Sequence, residues 1–273
     1  MNSDLQFLAF DTSTDVLSVA VNRGEQTWVH EGEGGAQASA HLIPVAMDLL
    51  AQAGLQLSEL TAIVFGRGPG SFTGLRTACA VAQGLAYGAH VPVLPVDTLL
   101  AVAEQARFDF QGLAQDKSLH VLALLDARMD EVYSAAYAWQ GAVLGWHVLQ
   151  DLRVSKPEAL DAQSTLDAQA GAGACLCAGN AFAHYAERLQ RLPALMPRVQ
   201  AMPTAQALLR LAPALWQAGL AVPAEQAMPL YVRDKVAHTT AERTAIKAAH
   251  AAHAAQVAQV AQVAQVAALN PRD

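Results

Sequence analysis

A glycine-rich stretch that also carries two hydroxyl side chains, residues 66–76 with the sequence GRGPGSFTGLR, is the segment best suited to chemistry. It lies between a predicted strand and a predicted helix. Glycines let backbone N–H groups approach a ligand, and the helix dipole favours negative charge at the helix N-terminus. The pattern therefore predicts a phosphate or anion pocket formed by Gly68, Gly70, Ser71 and Thr73. Equally, the glycines can form a tight turn in which Ser71 or Thr73 caps the helix.

The common catalytic motifs do not match this stretch. A Walker A loop requires a following GK[ST], the dinucleotide fingerprint requires GxGxxG, and neither pattern occurs here. The GxSxG turn of serine hydrolases is also missing from the stretch. A peptidase built on Ser71 and a histidine is therefore the weakest of the functional alternatives.

A second polar group follows the first apolar run of the chain and comprises Asp11, Thr12, Ser13 and Thr14. The spacing Asp-x-x-x-Asp, which spans residues 11–15, occurs again at residues 126–130 as DARMD, after a later apolar run. This echo indicates an internal duplication in which both segments are hairpin turns between strands. The alternative is two unrelated turns, because Asp favours turns in general.

Apolar alternation and helical spacing predict the elements that position these groups. In the first half we predict strands at 5–10, 16–21 and 27–30, a helix at 42–53, a strand at 61–65, a helix at 75–85, a strand at 91–96 and a helix at 97–107. In the second half we predict strands at 120–125, 132–138 and 146–152, a short helix at 156–162, a strand at 175–178, a helix at 182–189, a weak strand at 198–202 and a helix at 205–218. Both halves follow the order βββαβαβα.

Two consecutive βββαβαβα units are typical of the superfamily that contains actin, Hsp70 and the sugar kinases. The predicted fold is therefore an α/β, two-lobed, actin-like ATPase fold made of two ribonuclease H-like units, with a cleft between the lobes. We place the first lobe at 1–110, the second at 111–237 and an appended tail at 238–273. The last helix of the second lobe can pack back on the first lobe.

The tail has an Ala-Gln-Val period of three residues. Each three-residue step turns a helix by about 300°, so the valines spiral around the helix and form no single apolar stripe. We expect a helix-prone or disordered segment that has no catalytic role.

Composition limits the classes of function. The chain has 273 residues, 53% of them hydrophobic and 15% charged, with a formal net charge of -7. This charge argues against a broad surface that grips tRNA phosphates. The three cysteines suit neither a disulfide framework nor a CxxC site. A basic leader and a membrane-spanning apolar run are both missing, so we expect a cytoplasmic protein.

As a string, GPGSFTGLR is far more specific than its separate residues. Together with LAFDTSTDVLSVAV and AHLIPVAMDLLAQAG, it resembles the TsaB family, also called YeaZ, and the resemblance is good over residues 5–107. In the second lobe LLDARMDEVYSAAY, the AGN at 178–180 and PLYVRDKVA also fit, more weakly. The Ala-Gln-Val tail lies outside the resemblance.

The resemblance implies a role in making threonylcarbamoyladenosine beside the tRNA anticodon. Members of the family are similar to the catalytic subunit of that pathway, TsaD, and bind it as a heterodimer. In bacteria an ATPase subunit, TsaE, joins them. The implied partners are thus a TsaD-like subunit, a TsaE-like ATPase, tRNA through the complex, and a second copy of the chain when it is alone, with no membrane.

Three departures from the catalytic relatives predict that this chain does not catalyse the reaction alone. TsaD holds a metal with an HxxxH pair on its first-lobe helix, whereas this chain offers His41 only, which makes a poor metal site. The fold usually binds nucleotide with Asp-x-Gly-Thr in the first hairpin, where this chain has Ser13 in place of the glycine. In the second hairpin Arg128 would fill the space that phosphates need. We therefore predict no metal and no intrinsic cofactor, a vestigial pocket, and at most a weakly held nucleotide at the partner interface.

The resemblance implies that the first-lobe helices meet the same helices of the partner. The predicted interface residues are His41, Leu42, Val45, Leu49, Leu75, Arg76, Ala78, Ala82 and Leu85. Small residues on the second helix permit close helix approach. Apolar surface left exposed without the partner would favour a homodimer.

The alternative function is an ATP-dependent small-molecule kinase or ATPase that uses the cleft between the lobes. Under that hypothesis the isolated chain binds and turns over ATP. Under the leading hypothesis it is a dimerisation and scaffold subunit, essential to the transferase complex but inactive by itself.

Overall fold

A computed structural model describes residues 4–110, 118–160, 174–193 and 196–232 of the chain. The predicted tail at 238–273 and the end of the predicted helix at 156–162 lie outside these residues. Residues 111–117, with which the predicted second lobe begins, also lie outside them. The domain boundaries at 110 and 237 therefore stay predictions.

The first half of the described chain forms a five-stranded mixed sheet covered by helices. Its elements are β1 Phe7–Asp11, β2 Val16–Arg23, β3 Gln26–Glu33, α1 Ala38–Ala53, β4 Ala62–Gly68, α2 Phe72–Ala89, β5 Val93–Asp97 and α3 Thr98–Asp109. The strand order is β3-β2-β1-β4-β5. The first three strands form the predicted antiparallel meander, and β4 and β5 run parallel to β1.

The second half repeats this arrangement. Its elements are β6 Leu119–Asp126, β7 Val132–Trp139, the single turn α4 Gly141–Leu144, β8 Trp146–Ser155, β9 Ala174–Gly179, α5 Ala181–Tyr185, β10 Arg198–Val199 and α6 Ala205–Gln217. The strand order is β10-β9-β6-β7-β8. If β6 to β10 are matched in turn with β1 to β5, this is the strand order of the first sheet written in reverse. The two-lobed α/β fold and its internal duplication are confirmed.

Local sequence signals explain where most elements end. Helix α1 stops at Gly54, which has φ 64° and closes the helix in the left-handed conformation. Helix α2 continues past Gly88 to Ala89, and His90 takes the left-handed position with φ 57°. The predicted short helix at 156–162 begins as a 3-10 turn at Pro157–Ala159. These differences are within the usual uncertainty of helix ends.

Helices cover both faces of the first sheet. Helices α1 and α2 bury Leu42, Leu50 and Ala78 against one face. On the other face α6 packs through Leu208 and the alanines Ala205, Ala207 and Ala212. The last helix of the described chain thus packs back on the first lobe. Its apolar side is buried against β1 and β4.

Helix α3 lies between the two sheets and contributes to both cores. Leu99 and Val102 pack with the second sheet, and Ala101 packs with the first sheet and α6. Glu104, only 2% exposed, accepts hydrogen bonds from Arg107 of α3, Arg210 of α6 and Trp146 of β8. One buried carboxylate therefore ties α3 to elements of both lobes.

Candidate functional site

The turn between β1 and β2 is almost completely buried. Asp11 and Thr12 are 0% exposed and Ser13 is 2% exposed, whereas Thr14 is half-buried. The backbone N–H and the hydroxyl of Ser13 both donate to Asp11 Oδ1, at 2.8 and 2.6 Å. Asp11 therefore closes its own turn in the way that turn aspartates do.

The second carboxylate oxygen of Asp11 makes no hydrogen bond within the described residues. Burial raises the pKa of Asp11 to about 6, and the two hydrogen bonds from Ser13 lower that pKa only in part. Burial is the larger effect because the side chain is enclosed on all sides. The first hairpin thus holds a carboxyl group whose pKa lies well above that of a free aspartate.

The glycine-rich loop packs directly against this turn. A Cβ added to Gly66 would lie 1.8 Å from Asp11 Oδ2, and one added to Gly74 would lie 1.8 Å from the carbonyl oxygen of Thr12. Two hydrogen bonds reinforce the contact: Ser71 N donates to Ser13 O at 2.7 Å, and Thr12 Oγ1 donates to Gly74 O at 2.7 Å. The Asp11 side chain therefore fills the space beside Gly66, and the Thr12 backbone fills the space beside Gly74.

The predicted pocket residues of the loop have turn and cap contacts. Ser71 is the N-cap of α2, and its Oγ accepts a hydrogen bond from Gly74 N at 3.3 Å. Gly68 has φ 125° and its N–H donates to Thr98 Oγ1 at 3.2 Å. Gly70 lies so close to Ser13 that a Cβ would be 2.6 Å from the Ser13 carbonyl oxygen. Thr73 is exposed in the first turn of α2.

The anion pocket predicted at Asp11, Thr12, Ser13, Thr14, Gly68, Gly70, Ser71 and Thr73 stays a prediction. The structure brings Ser13 into contact with Asp11, Gly70 and Ser71, whereas the hydrogen bonds of Thr14, Gly68 and Thr73 are with other residues. The N–H of Ser71 already donates to Ser13 O and the N–H of Gly68 to Thr98 Oγ1. The contacts are those of the alternative interpretation, a tight turn with a helix cap.

The second hairpin faces the first through a charged pair. Arg128, Met129 and Asp130 all have positive φ, at 58°, 54° and 65°. This backbone is uncommon for residues other than glycine. Arg128 Nη2 lies 2.7 Å from Asp15 Oδ2 of the first hairpin and Nη1 lies 3.6 Å from Asp126 Oδ2. The Arg128 guanidinium thus spans the two hairpins.

Most of the predicted interface residues on α1 and α2 are turned inward. Five of them are at most 4% exposed, namely Leu42, Leu49, Leu75, Ala78 and Ala82. Val45 and Leu85 are half-buried, and His41 and Arg76 are exposed. Helical spacing identifies the apolar stripe of each helix correctly, but that stripe packs on the sheet of the same chain. The interface itself stays a prediction.

A second, outward stripe on the same helices was missed. On α1, Ile43 is 44% and Met47 is 45% exposed, and on α2, Tyr87 is 74% exposed. Between Arg76 and Tyr87 the exposed positions of α2 are small, Ala80 and Gly84. We call these outward residues the α1–α2 face. The signal for it was present: Ile43 and Met47 are apolar, four residues apart and outside the core stripe.

One end of the α1–α2 face carries an aromatic and cationic stack. The guanidinium carbon of Arg76 lies 3.8 Å from the centre of the Phe72 ring, and Arg76 Nε donates to Tyr231 Oη at 3.0 Å. The rings of Phe72 and Tyr231 are 5.3 Å apart between centroids. Tyr231 lies 155 residues after Arg76. At this separation no local pattern in the sequence pairs the two residues.

The described residues lack two features that would point to other functions. They contain no group of three or more His, Cys, Asp or Glu placed to hold a metal ion. Over the same residues we find no helix with the length and apolar character required to cross a membrane.

Comparisons with known proteins agree with one another. A family model described as TsaD, tRNA N6-adenosine threonylcarbamoyltransferase, matches residues 25–271. The chain is 32% identical over 235 residues to the tRNA threonylcarbamoyladenosine biosynthesis protein TsaB of Escherichia coli, covering 85% of this chain and 96% of that protein. It is 39% identical over 162 residues to the TsaB of Haemophilus influenzae, covering 57% of this chain and 66% of that protein.

A solved structure gives the same answer for the fold. The structure of YeaZ from Pseudomonas aeruginosa superposes with a TM-score of 0.71 at 36% sequence identity, covering 83% of this chain and 99% of that one. Nearly the whole of that protein is thus matched by this chain. By sequence and by fold, the chain belongs to the TsaB (YeaZ) family, within the wider family that the TsaD model describes.

Proposed function

We propose that this chain is a dimerisation and scaffold subunit, inactive alone, of the complex that adds threonylcarbamoyl to the tRNA adenosine beside the anticodon. Its main partner is a TsaD-like catalytic subunit. The observation that carries the proposal is the contact between the first hairpin and the glycine-rich loop. The Thr12 carbonyl oxygen packs against the Gly74 Cα, so closely that a Cβ on residue 74 would lie 1.8 Å from it.

The closed hairpin explains why the chain needs a catalytic partner. Phosphate binding in this fold depends on backbone N–H groups that point into open space. Here Ser71 N donates to Ser13 O, and the hydroxyl of Ser13 donates to Asp11. An unpaired carboxylate oxygen of Asp11 beside Gly66 would also repel an anion. Any nucleotide is therefore weakly held, at the partner interface and outside this cleft.

The α1–α2 face supplies the scaffold function. Ile43, Met47 and Tyr87 are large apolar side chains that water contacts in the isolated chain. Ala80 and Gly84 leave a shallow notch on α2 where the backbone of another helix can come close. Covering this face removes apolar surface from water, which favours binding of a TsaD-like subunit, or of a second copy when that subunit is missing.

The remaining members of the complex follow from the family. A TsaE-like ATPase joins the pair, and tRNA is held mainly by the other chains, because this chain carries a formal net charge of -7. The site of action is the cytoplasm, where tRNA is modified.

Reconstitution with single omissions tests the proposal. The TsaD-type and TsaE-type proteins of the same organism are mixed with tRNA, ATP and the threonylcarbamoyl donor, with and without this chain. We expect tRNA modification to fall to background when this chain is omitted. Modification that continues undiminished in the omission would overturn the proposal, as would modification by this chain alone.

The competing kinase or ATPase function is tested on the isolated chain. Calorimetry with ATP and Mg²⁺ is expected to show no micromolar binding, and the chain is expected to hydrolyse no ATP. Tight binding with turnover would favour the competing function.

A further inference from the structure

We propose that Arg76 is a preorganised receptor for a carboxylate group on the protein partner that covers the α1–α2 face. This inference rests on the scaffold function proposed above and names the chemistry that the partner must bring. The occupant is an Asp or Glu side chain of a TsaD-like subunit, surrounded by apolar residues.

The Arg76 side chain is held in place before any partner binds. Phe72 supports one face of its guanidinium group at 3.8 Å, and Tyr231 Oη fixes its Nε at 3.0 Å. An unrestrained arginine loses much rotamer freedom when it is captured in an interface. The planar fork of a held guanidinium is complementary to a carboxylate, which it can bind through two parallel hydrogen bonds.

The binding capacity of Arg76 is largely unused. A guanidinium has five N–H donors, of which the contact with Tyr231 uses one. Within the described residues Arg76 forms no ion pair, whereas Arg67 is paired with Asp97 and Arg107 with Glu104. Within the described residues, the terminal nitrogens of Arg76 are thus left for a group from another molecule.

The segment that ends at Tyr231 is itself fixed to the first lobe. Leu230 N donates to Arg67 O at 2.7 Å, and Ala227 O accepts from Gln83 Nε2 of α2 at 2.8 Å. The segment before Tyr231 is therefore hydrogen-bonded both to the glycine-rich loop and to α2. The stack is a built feature of the fold, and it does not depend on an incidental rotamer.

The surroundings favour a protein carboxylate over a nucleic-acid phosphate. Arg76, Ala80, Gly84 and Tyr87 follow one another at helical spacing and form one line along α2. Beyond Arg76 this line is apolar or small, whereas binding to a phosphate backbone normally requires several cations. A single fixed cation at the end of an apolar face matches a partner helix with one acidic residue.

The test measures binding of the full-length chain to the TsaD-type protein of the same organism. Arg76→Gln should raise the Kd by about tenfold or more, as expected when one member of a desolvated charge pair is removed. Arg76→Lys should recover little of the loss, because an ammonium group has no planar fork. Tyr231→Phe, which keeps the ring and frees the guanidinium, should raise the Kd by about twofold to fivefold. Arg153→Gln removes an exposed arginine of β8 and serves as the matched control, with an expected change below twofold.

The outcomes separate this inference from the function on which it rests. If wild-type chain and partner do not bind, both fail. If they bind and Arg76→Gln binds as tightly as wild type, the scaffold function stands and the carboxylate receptor is wrong. A third result would also overturn it. If Arg76→Gln leaves the affinity for the partner unchanged but weakens binding of tRNA by the assembled complex, and if that binding depends less steeply on salt, Arg76 contacts phosphate.

Discussion

The carbonyl oxygen of Thr12 lies against the Cα of Gly74, so closely that a Cβ on residue 74 would be 1.8 Å from it. This contact joins the first hairpin to the first turn of α2. A hydrogen bond from Thr12 Oγ1 to Gly74 O, at 2.7 Å, holds the same two residues together from the other side. The hairpin and the helix are thus held together by backbone packing, which side-chain movement cannot relieve.

Gly74→Ala should destabilise the chain strongly. The added methyl group would force the hairpin and the helix apart, and overpacking of this kind costs about 3 kcal/mol in the free energy of unfolding. Urea unfolding measures the change. Gly84→Ala on the exposed side of the same helix meets no atom within 4 Å and should instead stabilise by up to about 1 kcal/mol. Equal effects of the two substitutions would contradict the observed packing.

Asp11→Asn should change how stability depends on pH. The folded-state pKa of Asp11, about 6, lies above its ordinary value of 3.8, so the protonated side chain is favoured in the folded chain. Its contribution to stability is fully present below about pH 4 and is lost as pH rises through 6. Relative to wild type, Asp11→Asn should therefore gain about 2–3 kcal/mol between pH 4 and pH 7.5.

The pH experiment has an internal check at Ser13. Ser13→Ala removes the side-chain hydrogen bond that lowers the pKa of Asp11, so the loss of stability should begin at the same pH as in wild type but continue to a higher pH. Unfolding curves recorded across the same pH range report this shift. Parallel stability profiles for wild type and Asp11→Asn would show that Asp11 does not titrate in this window.

Glu104→Gln should weaken the junction between the lobes. The substitution leaves Arg107 and Arg210 without their shared carboxylate in a buried position, and removing one member of a buried ion pair costs about 3–5 kcal/mol. Hydrogen exchange should become faster in α6 and β8, which Glu104 connects through Arg210 and Trp146. Glu187→Gln, at an exposed position, should stay within about 0.5 kcal/mol of wild type.

Ile43→Glu should prevent the isolated chain from forming a homodimer. Ile43 is 44% exposed on the α1–α2 face, so the charged side chain should leave the fold intact and place a carboxylate inside any contact made there. Sedimentation of the full-length chain is expected to show a shift from dimer to monomer. Val148→Glu places the same charge on an exposed apolar position of β8 and should leave the dimer unchanged. A wild-type chain that is monomeric at high concentration would contradict the prediction.

Much of the fold could be predicted from the sequence because the deciding signals are local. The strands of both halves alternate or run apolar, Gly54 ends α1, and the repeated order of elements indicates two units of one topology. The same is true of the elements of the candidate site: the hairpin at Asp11 and the loop before α2 follow from turn residues and glycines. Local chemistry also supported two interpretations of that loop, and the sequence offered no means of choosing between them.

Only the tertiary structure decided which contacts those residues make. Leu42 and Ala82 lie in the core of the folded chain, whereas Ile43 and Met47 face water. The reason is that the sheet covers only one side of each helix. The tertiary structure also brought Tyr231 to Arg76 across 155 residues of chain. The sequence by itself determined the duplicated two-lobed fold and the family, since periodicity and motif strings are properties of neighbouring residues. The packing of distant segments decides which stripe of a helix is buried and which glycine touches which carbonyl. Local residue spacing does not determine that packing.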